Sequence, residues 1–152
     1  MELSADMQRV VIEQSLGFVA TVTADGRPNL SPKGTTTVFD AHHLVFADIA
    51  SPGTTENLAS NPYVEVDVVD PIVRKGYRFE GIASVHTSGD TFDRGLTVLR
   101  ERGYTTKTER IRSIVLIEVT GAAPLVSPAY DDGTPEAVIA ERWLQRYRDL
   151  HG

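Results

Sequence analysis

The chain has no cysteine, one tryptophan and two methionines in 152 residues. Without cysteine there is no disulfide, no thiolate metal site and no cysteine nucleophile, which fits a cytoplasmic location. Positive charge is scarce as well: 15 lysines and arginines stand against 21 acids, a net charge of −6. Nonspecific nucleic-acid binders work by neutralising phosphates, so no nucleic-acid partner is expected. No apolar run approaches the ~20 residues of a membrane helix. The N-terminal MELSADMQRVV has no basic region followed by an apolar stretch, so neither a signal peptide nor a membrane partner is expected. The G-x-x-x-x-G-K-[ST], G-x-G-x-x-G and H-E-x-x-H patterns are also missing, which leaves P-loop, dinucleotide-fold and zincin readings without support. What remains is ordinary for a globular protein, 41% hydrophobic and 24% charged. The length predicts one domain over residues 1–152.

Residues Ser4 to Leu16 read as a helix capped by Ser4, with Met7, Val10 and Val11 on one side. Phe18 to Thr23 alternates as a strand, and Asp25-Gly26 predicts a type I′ hairpin turn. The return strand, Arg27 to about Phe39, is interrupted at Ser31-Pro32-Lys33-Gly34. Proline and glycine inside a strand mark an edge, a bulge or a close approach to the backbone. Leu44 to Ile49, Tyr63 to Val69 and Tyr77 to Thr87 are further strands, the last with Gly81 at a tight curve. Asp90 to about Arg102 reads as a helix with Phe92, Leu96 and Leu99 on one face. Ile111 to Val119 reads as a strand, apolar over Ile114 to Ile117 and therefore central. After SPAYDDG, Thr134 as cap and Pro135 at the first helical position open a helix with Ala140, Leu144 and Tyr147 in a stripe. The fold expected is mainly β (α+β), a six-stranded antiparallel barrel with peripheral helices, with a β-sandwich carrying peripheral helices as the alternative.

The stretch FADIASPGTTENLASNP, Phe46 to Pro62, runs from a strand end through a small-residue loop into a short helix. Thr54 or Thr55 is expected to cap that helix, and Asn61-Pro62 to stop it. Ser51, Thr54 and Thr55 thus bring hydroxyls to a helix N-terminus, whose free N–H groups and partial positive charge suit a phosphate. An ordinary cap gives the same pattern. His42-His43 reads as solvated turn residues rather than a metal site, His86 as a strand residue with a local partner, and Trp143 and Tyr147 as packing. Lys33 stands out, beside Gly34 in a strand that otherwise favours threonine and valine.

GFVATVTADGRPNLSPKGT, LVFADIASPGTTENLASNP, YVEVDVV and YRFEGIA together resemble the pyridoxamine 5′-phosphate oxidase-like family of FMN-binding split barrels, over roughly Leu16 to Ala83. The resemblance implies a homodimer with FMN at the interface. The strand carrying Asn29, Ser31, Pro32, Lys33 and Gly34 would follow the flavin and its ribityl chain. Phe46, Ala47 and Asp48 would lie beside the ring, and Ser51, Thr54, Thr55 and Asn57 would surround the phosphate. Lys75 would reach the partner's cofactor, and Tyr130 would close the site. Relatives commonly place an arginine or lysine in the phosphate loop, but SPGTTEN has none. Either the hydroxyls and helix N-terminus suffice with Lys33 reaching in, or the site is altered. The resemblance implies a flavin-dependent oxidoreductase acting on a small organic substrate. Its alternatives are a reductase using the deazaflavin F420, whose anionic tail this acidic chain suits less well, and a non-catalytic flavin-binding or storage module. Some relatives bind heme.

Overall fold

The alternation in the sequence becomes one antiparallel sheet wrapped around a core. The computed structural model describes residues 1–50, 52–105 and 107–152. In chain order these form α1 (Ala5–Gln14), β1 (Gly17–Val22), β2 (Pro28–Lys33), β3 (Thr37–Asp40), β4 (His43–Asp48), α2 (Pro52–Ser60), β5 (Tyr63–Asp70), β6 (Lys75–His86), α3 (Asp90–Glu101), β7 (Ser113–Val126) and α4 (Glu136–His151). The sheet order is β2-β1-β5-β6-β7-β4-β3. Among the described residues β2 and β3, the two edges, do not pair, so the sheet curls without closing. This is a split barrel with peripheral helices.

Six strands were expected and seven are present. The interrupted return strand is really two, because the turn after Lys33 sends the chain from one edge of the sheet to the other. The Asp25-Gly26 turn also differs from expectation. Only Gly26 has positive φ (84°), and its N–H reaches the Thr23 carbonyl at 2.9 Å. That is a type I turn followed by a left-handed glycine, the three-residue form of the hairpin.

The inward-facing residues make the main core: Val19, Leu44, Phe46, Val66, Val68, Phe79, Val115 and Ile117 are fully buried or nearly so. Each such side chain contributes about 1.5–3 kcal/mol by leaving water. Val10 and Val11 of α1 and Leu58 of α2 close that core. Ser4 caps α1 as expected, its hydroxyl accepting from the Met7 N–H at 3.2 Å. On the outer side of β4 and β7, α3 covers Val45, Ala47 and Ile114 with Leu99, Phe92 and Leu96. β7 lies between β6 and β4, with both faces covered along Ile114 to Ile117.

β7 runs seven residues further than expected, through Pro124 to Val126. Only β6 pairs with that extension, since β4 stops at Glu118. Its other side is open, where a residue without an N–H is tolerated. Gly81 faces a bulge in β7, where Thr120 is the extra residue, and a Cβ on it would lie 2.7 Å from the Glu118 carbonyl oxygen. In α4, Pro135 rather than Thr134 holds the cap position, and the buried residue is Ile139; Leu144 stays 37% exposed. Among the described residues no helix is long and apolar enough to cross a membrane.

Candidate functional site

The turn from Lys33 to Thr36 is the best-fastened irregular segment near the predicted site. The Thr36 hydroxyl donates back to the Lys33 carbonyl at 2.8 Å. The Thr36 side chain fills the space over Gly17, where a Cβ would come within 2.6 Å of it. The Ala47 N–H donates to the Thr35 hydroxyl oxygen at 2.9 Å, and the Tyr104 hydroxyl donates to the Gly34 carbonyl at 2.5 Å. β2, β4 and the segment after α3 are thereby tied to one turn.

That turn aims Lys33 inward. It pairs with Gly17, so by alternation Asn29, Ser31 and Lys33 share the face of Thr21, Val19 and Gly17. Lys33 is 5% exposed. Its Nζ lies 5.7 Å from the centre of the Phe46 ring and has no hydrogen-bond partner among the described residues. Burial pushes its pKa down, and the nearby Asp48 carboxylate works against that. Asp48 is itself buried and pairs across the ladder with Ser113, whose hydroxyl is another buried atom without a partner.

Two glycines, Gly34 beside Lys33 and Gly53 in α2, have no structural need for being glycine. A Cβ at Gly34, or at Gly53 in the first turn of α2, would meet nothing within 4 Å. Neither has positive φ. Glycine in a helical turn costs about 1 kcal/mol relative to alanine. Open space over the bare backbone is what close approach of a ligand requires.

The remaining expected residues fall into three groups. Asn29 and Pro32 are exposed on β2 and Ser31 is half-buried. Phe46 lies wholly in the core, as a floor under Lys33, and Ala47 faces α3. Ser51 lies outside the described residues. α2 begins at Pro52, so Thr54 and Thr55 are inside its first turn and are not caps. Thr54 is buried, and the Thr55 hydroxyl donates to the Pro52 carbonyl at 3.1 Å. The Asn57 amide donates to Thr21 at 3.0 Å, fastening α2 to β1.

Lys75 and Tyr130 do come together, with the ammonium 4.4 Å from the ring centre, but in a different neighbourhood. Lys75 pairs with Glu136 at 2.8 Å, Tyr77 donates to Asp6 at 2.6 Å, and the Tyr130 hydroxyl donates to the Val73 carbonyl at 2.6 Å. No hydrogen bond, ion pair or ring contact among the described residues joins this cluster to Lys33 or Phe46. Beside it, Arg74 stacks on Trp143 at 3.3 Å. His43 and His86 have local partners, His43 Nδ1 lying 2.7 Å from Asp40 and His86 Nε2 2.8 Å from the Ser84 hydroxyl, whereas His42 Nδ1 lies 3.0 Å from the Met1 carbonyl oxygen. Among the described residues no cluster could hold a metal. Tyr104 and Ser113 were not anticipated. The Tyr104 contact spans 70 residues and leaves no local signal.

A family model for pyridoxamine 5′-phosphate oxidase matches residues 3–123. The chain belongs to the pyridoxamine 5′-phosphate oxidase family. No curated protein matches it. Among solved structures, HupZ from group A Streptococcus is 26% identical with a TM-score of 0.72, over 82% of this chain and 95% of that one. An FMN-binding protein from Syntrophomonas wolfei is 16% identical with a TM-score of 0.64, over 80% and 86%. HutZ, the heme storage protein of Vibrio cholerae, is 20% identical with a TM-score of 0.65, over 81% and 94%. The last two likenesses are of fold alone. Family membership therefore leaves the ligand to be argued from the residues.

Proposed function

We propose that this pyridoxamine 5′-phosphate oxidase-family protein binds FMN and acts as a flavin-dependent oxidoreductase on a small organic substrate. One observation carries the reading: Lys33 Nζ is buried at the end of β2 with no hydrogen-bond partner among the described residues. A buried ammonium with unmet hydrogen-bonding capacity is costly even with the Asp48 carboxylate nearby, and a ligand can complete it. The residues around it fit the phosphate of FMN. Lys33 would supply the charge. Gly34 and Gly53 leave room for close approach, and the first turn of α2 offers free N–H groups. Asn29 and Ser31, on the same face of β2, would orient the remainder of the cofactor, and Phe46 backs the site with apolar surface that excludes water. When bound, FMN supplies the electron or hydride chemistry, while the protein binds, orients and shields it. No residue is given the role of catalytic acid or base. In this reading the chain works as one domain, in the cytoplasm, as a homodimer whose interface completes the site, and Lys75 and Tyr130 serve the partner's half of it.

The test is titration of ligand-free protein with FMN and riboflavin, with the spectrum and mass of anything that co-purifies. FMN is expected to bind with quenched fluorescence and to be preferred over riboflavin by roughly ten- to a hundredfold, the value of one or more charged hydrogen bonds. Equal affinities would remove the phosphate site. Uptake of F420 or heme in place of FMN would replace the cofactor. Reduction of bound FMN by NADH or NADPH followed by turnover separates an enzyme from a flavin-binding module.

A further inference from the structure

Basic residues are concentrated in one place. Six of the chain's 15 lysines and arginines, but two of its 21 acids, lie between Arg94 and Arg112. Arg94 lies over the Phe39 ring. Arg100, Arg102, Lys107, Arg110 and Arg112 are all exposed, and none of them forms an ion pair among the described residues. Two bonds fix where this basic segment sits. The Tyr104 hydroxyl donates to the carbonyl of Gly34, the residue after Lys33, and the Arg112 N–H donates to the Asp48 carbonyl at 2.9 Å. The uncompensated cations therefore border the ends of β2 and β4, the two strand ends that lead to Lys33. On a chain of net charge −6, a local excess of positive charge at one mouth attracts anions to it. Lys33 supplies one positive charge, whereas a phosphate monoester carries about −1.5 to −2 at neutral pH.

We propose that Lys107, Arg110 and Arg112 form a second anion subsite at the mouth of the Lys33 site, for negative charge that a ligand carries beyond its first phosphate. The ligand class is a phosphoanhydride or similar oligo-anion, and the inference rests on the cofactor reading above. The charge has two possible sources: a tail on the cofactor itself, or the phosphates of a separate electron donor.

Inorganic phosphate and pyrophosphate, titrated into ligand-free protein by calorimetry at low and high salt, provide the first test. Pyrophosphate is expected to bind roughly five- to tenfold more tightly, as three exposed charge contacts allow, with the margin shrinking as salt rises. The K107S/R110S/R112S variant should lose that margin and keep its phosphate affinity. R142S/R146S, which removes two arginines from α4, should keep both. No margin in the wild type, or an equal loss in the α4 variant, overturns the proposal. FMN binding that is absent, or insensitive to Lys33→Met, defeats the cofactor reading instead and leaves the pyrophosphate result to be judged alone. With FMN binding intact, FAD preferred over FMN puts the extra charge on the cofactor. NADPH preferred over NADH by FMN-loaded protein puts it on the donor. No preference in either arm overturns the subsite as part of this site.

Discussion

Lys33 at the end of β2 and Lys75 at the start of β6 carry the same ammonium on the same flexible stem, and both were expected at the cofactor. Lys33 is buried with Nζ unpartnered, over a phenylalanine ring. Lys75 lies in a cluster where Glu136 pairs with its charge, Asp6 accepts a hydrogen bond from the Tyr77 hydroxyl and the Tyr130 hydroxyl donates to the Val73 carbonyl. The Lys75, Tyr77 and Tyr130 side chains are partnered as the chain stands, and their contacts hold α1, β6 and the C-terminal segment together. Arg74 Nε beside them is, however, buried with no hydrogen-bond partner among the described residues. The Lys33 end is incomplete, and incompleteness in a buried place is the better sign of a ligand.

The sharpest way to break this comparison is to remove each ammonium in turn. Lys33→Met should weaken FMN binding by about 1.5–3 kcal/mol, roughly ten- to a hundredfold. The ligand-free protein should melt no lower than wild type, because the cost of burying the ammonium outweighs its attraction to Asp48. Lys75→Met, which on this reading removes a contact to the partner's cofactor, should cost FMN affinity less than Lys33→Met does. Calorimetry and thermal melts read both. A larger FMN loss in the Lys75 variant would reverse the assignment.

The second measurement probes the Lys75 cluster. Trp143→Ala, which removes the face under Arg74, should cost about 1–2 kcal/mol in urea unfolding. Arg74 is also one of three non-glycine residues with positive φ, so it is held in place against its own backbone preference. Full stability in this variant would mean that α4 is not fastened there. Tyr77→Phe should cost less, about 0.5 kcal/mol, since the bond to Asp6 is largely exposed. It should also change the acid limb. The Tyr77 hydroxyl, with Arg9 behind it, holds the Asp6 pKa below its ordinary value. That contribution is present above the unfolded pKa and is lost as pH falls through the folded one, so the variant should show a shallower loss of stability in acid.

The smallest signal is one of sign. Burial lowers the Lys33 pKa, so between that value and the ordinary 10.5 the unfolded chain binds more protons and stability rises with pH. Glu136 raises the Lys75 pKa, so its contribution is complete below 10.5 and falls as pH rises through the folded value. Alkaline unfolding series on the two methionine variants should therefore depart from wild type in opposite directions. FMN affinity should fall as pH climbs through the Lys33 window, because the phosphate binds the charged form. A common direction would mean that the two lysines share one environment.

Much of the fold was legible because period-two alternation and turn residues are local signals. The strands from β4 to β6, the Ser4 cap and the Asn61-Pro62 stop stand as read. The strand count differed because Ser31-Pro32-Lys33-Gly34 looks like a bulge unless one knows that Thr36 packs on Gly17. The extent of β7 was hidden because Gly121 to Pro124 has no apolar alternation and is held by β6 alone. At the candidate site, Lys33 was visible as a residue out of place. Its burial was not, since that depends on Phe46 and Asp48 arriving from another strand. The loop beginning at Ser51 suggested a cap at Thr54 or Thr55, whereas proline started the helix earlier. The basic stretch near Arg110 was present in the composition, but only the Tyr104 and Arg112 contacts tell where it lies.

An open barrel has a hazard that a closed one avoids: a free strand edge invites another chain to add to it. β2 is such an edge, and its Leu30 is 66% exposed. Yet Pro28 and Pro32 flank that leucine at the same parity of the ladder. Proline is tolerated in a paired strand where the missing N–H would have faced away from the partner, so the outward donors of β2 are those of residues 28, 30 and 32. Two of those three positions have no hydrogen to give. A chain that tried to extend the sheet would find a single donor at Leu30, so the gap beside Lys33 can stay open without recruiting strands and seeding aggregates.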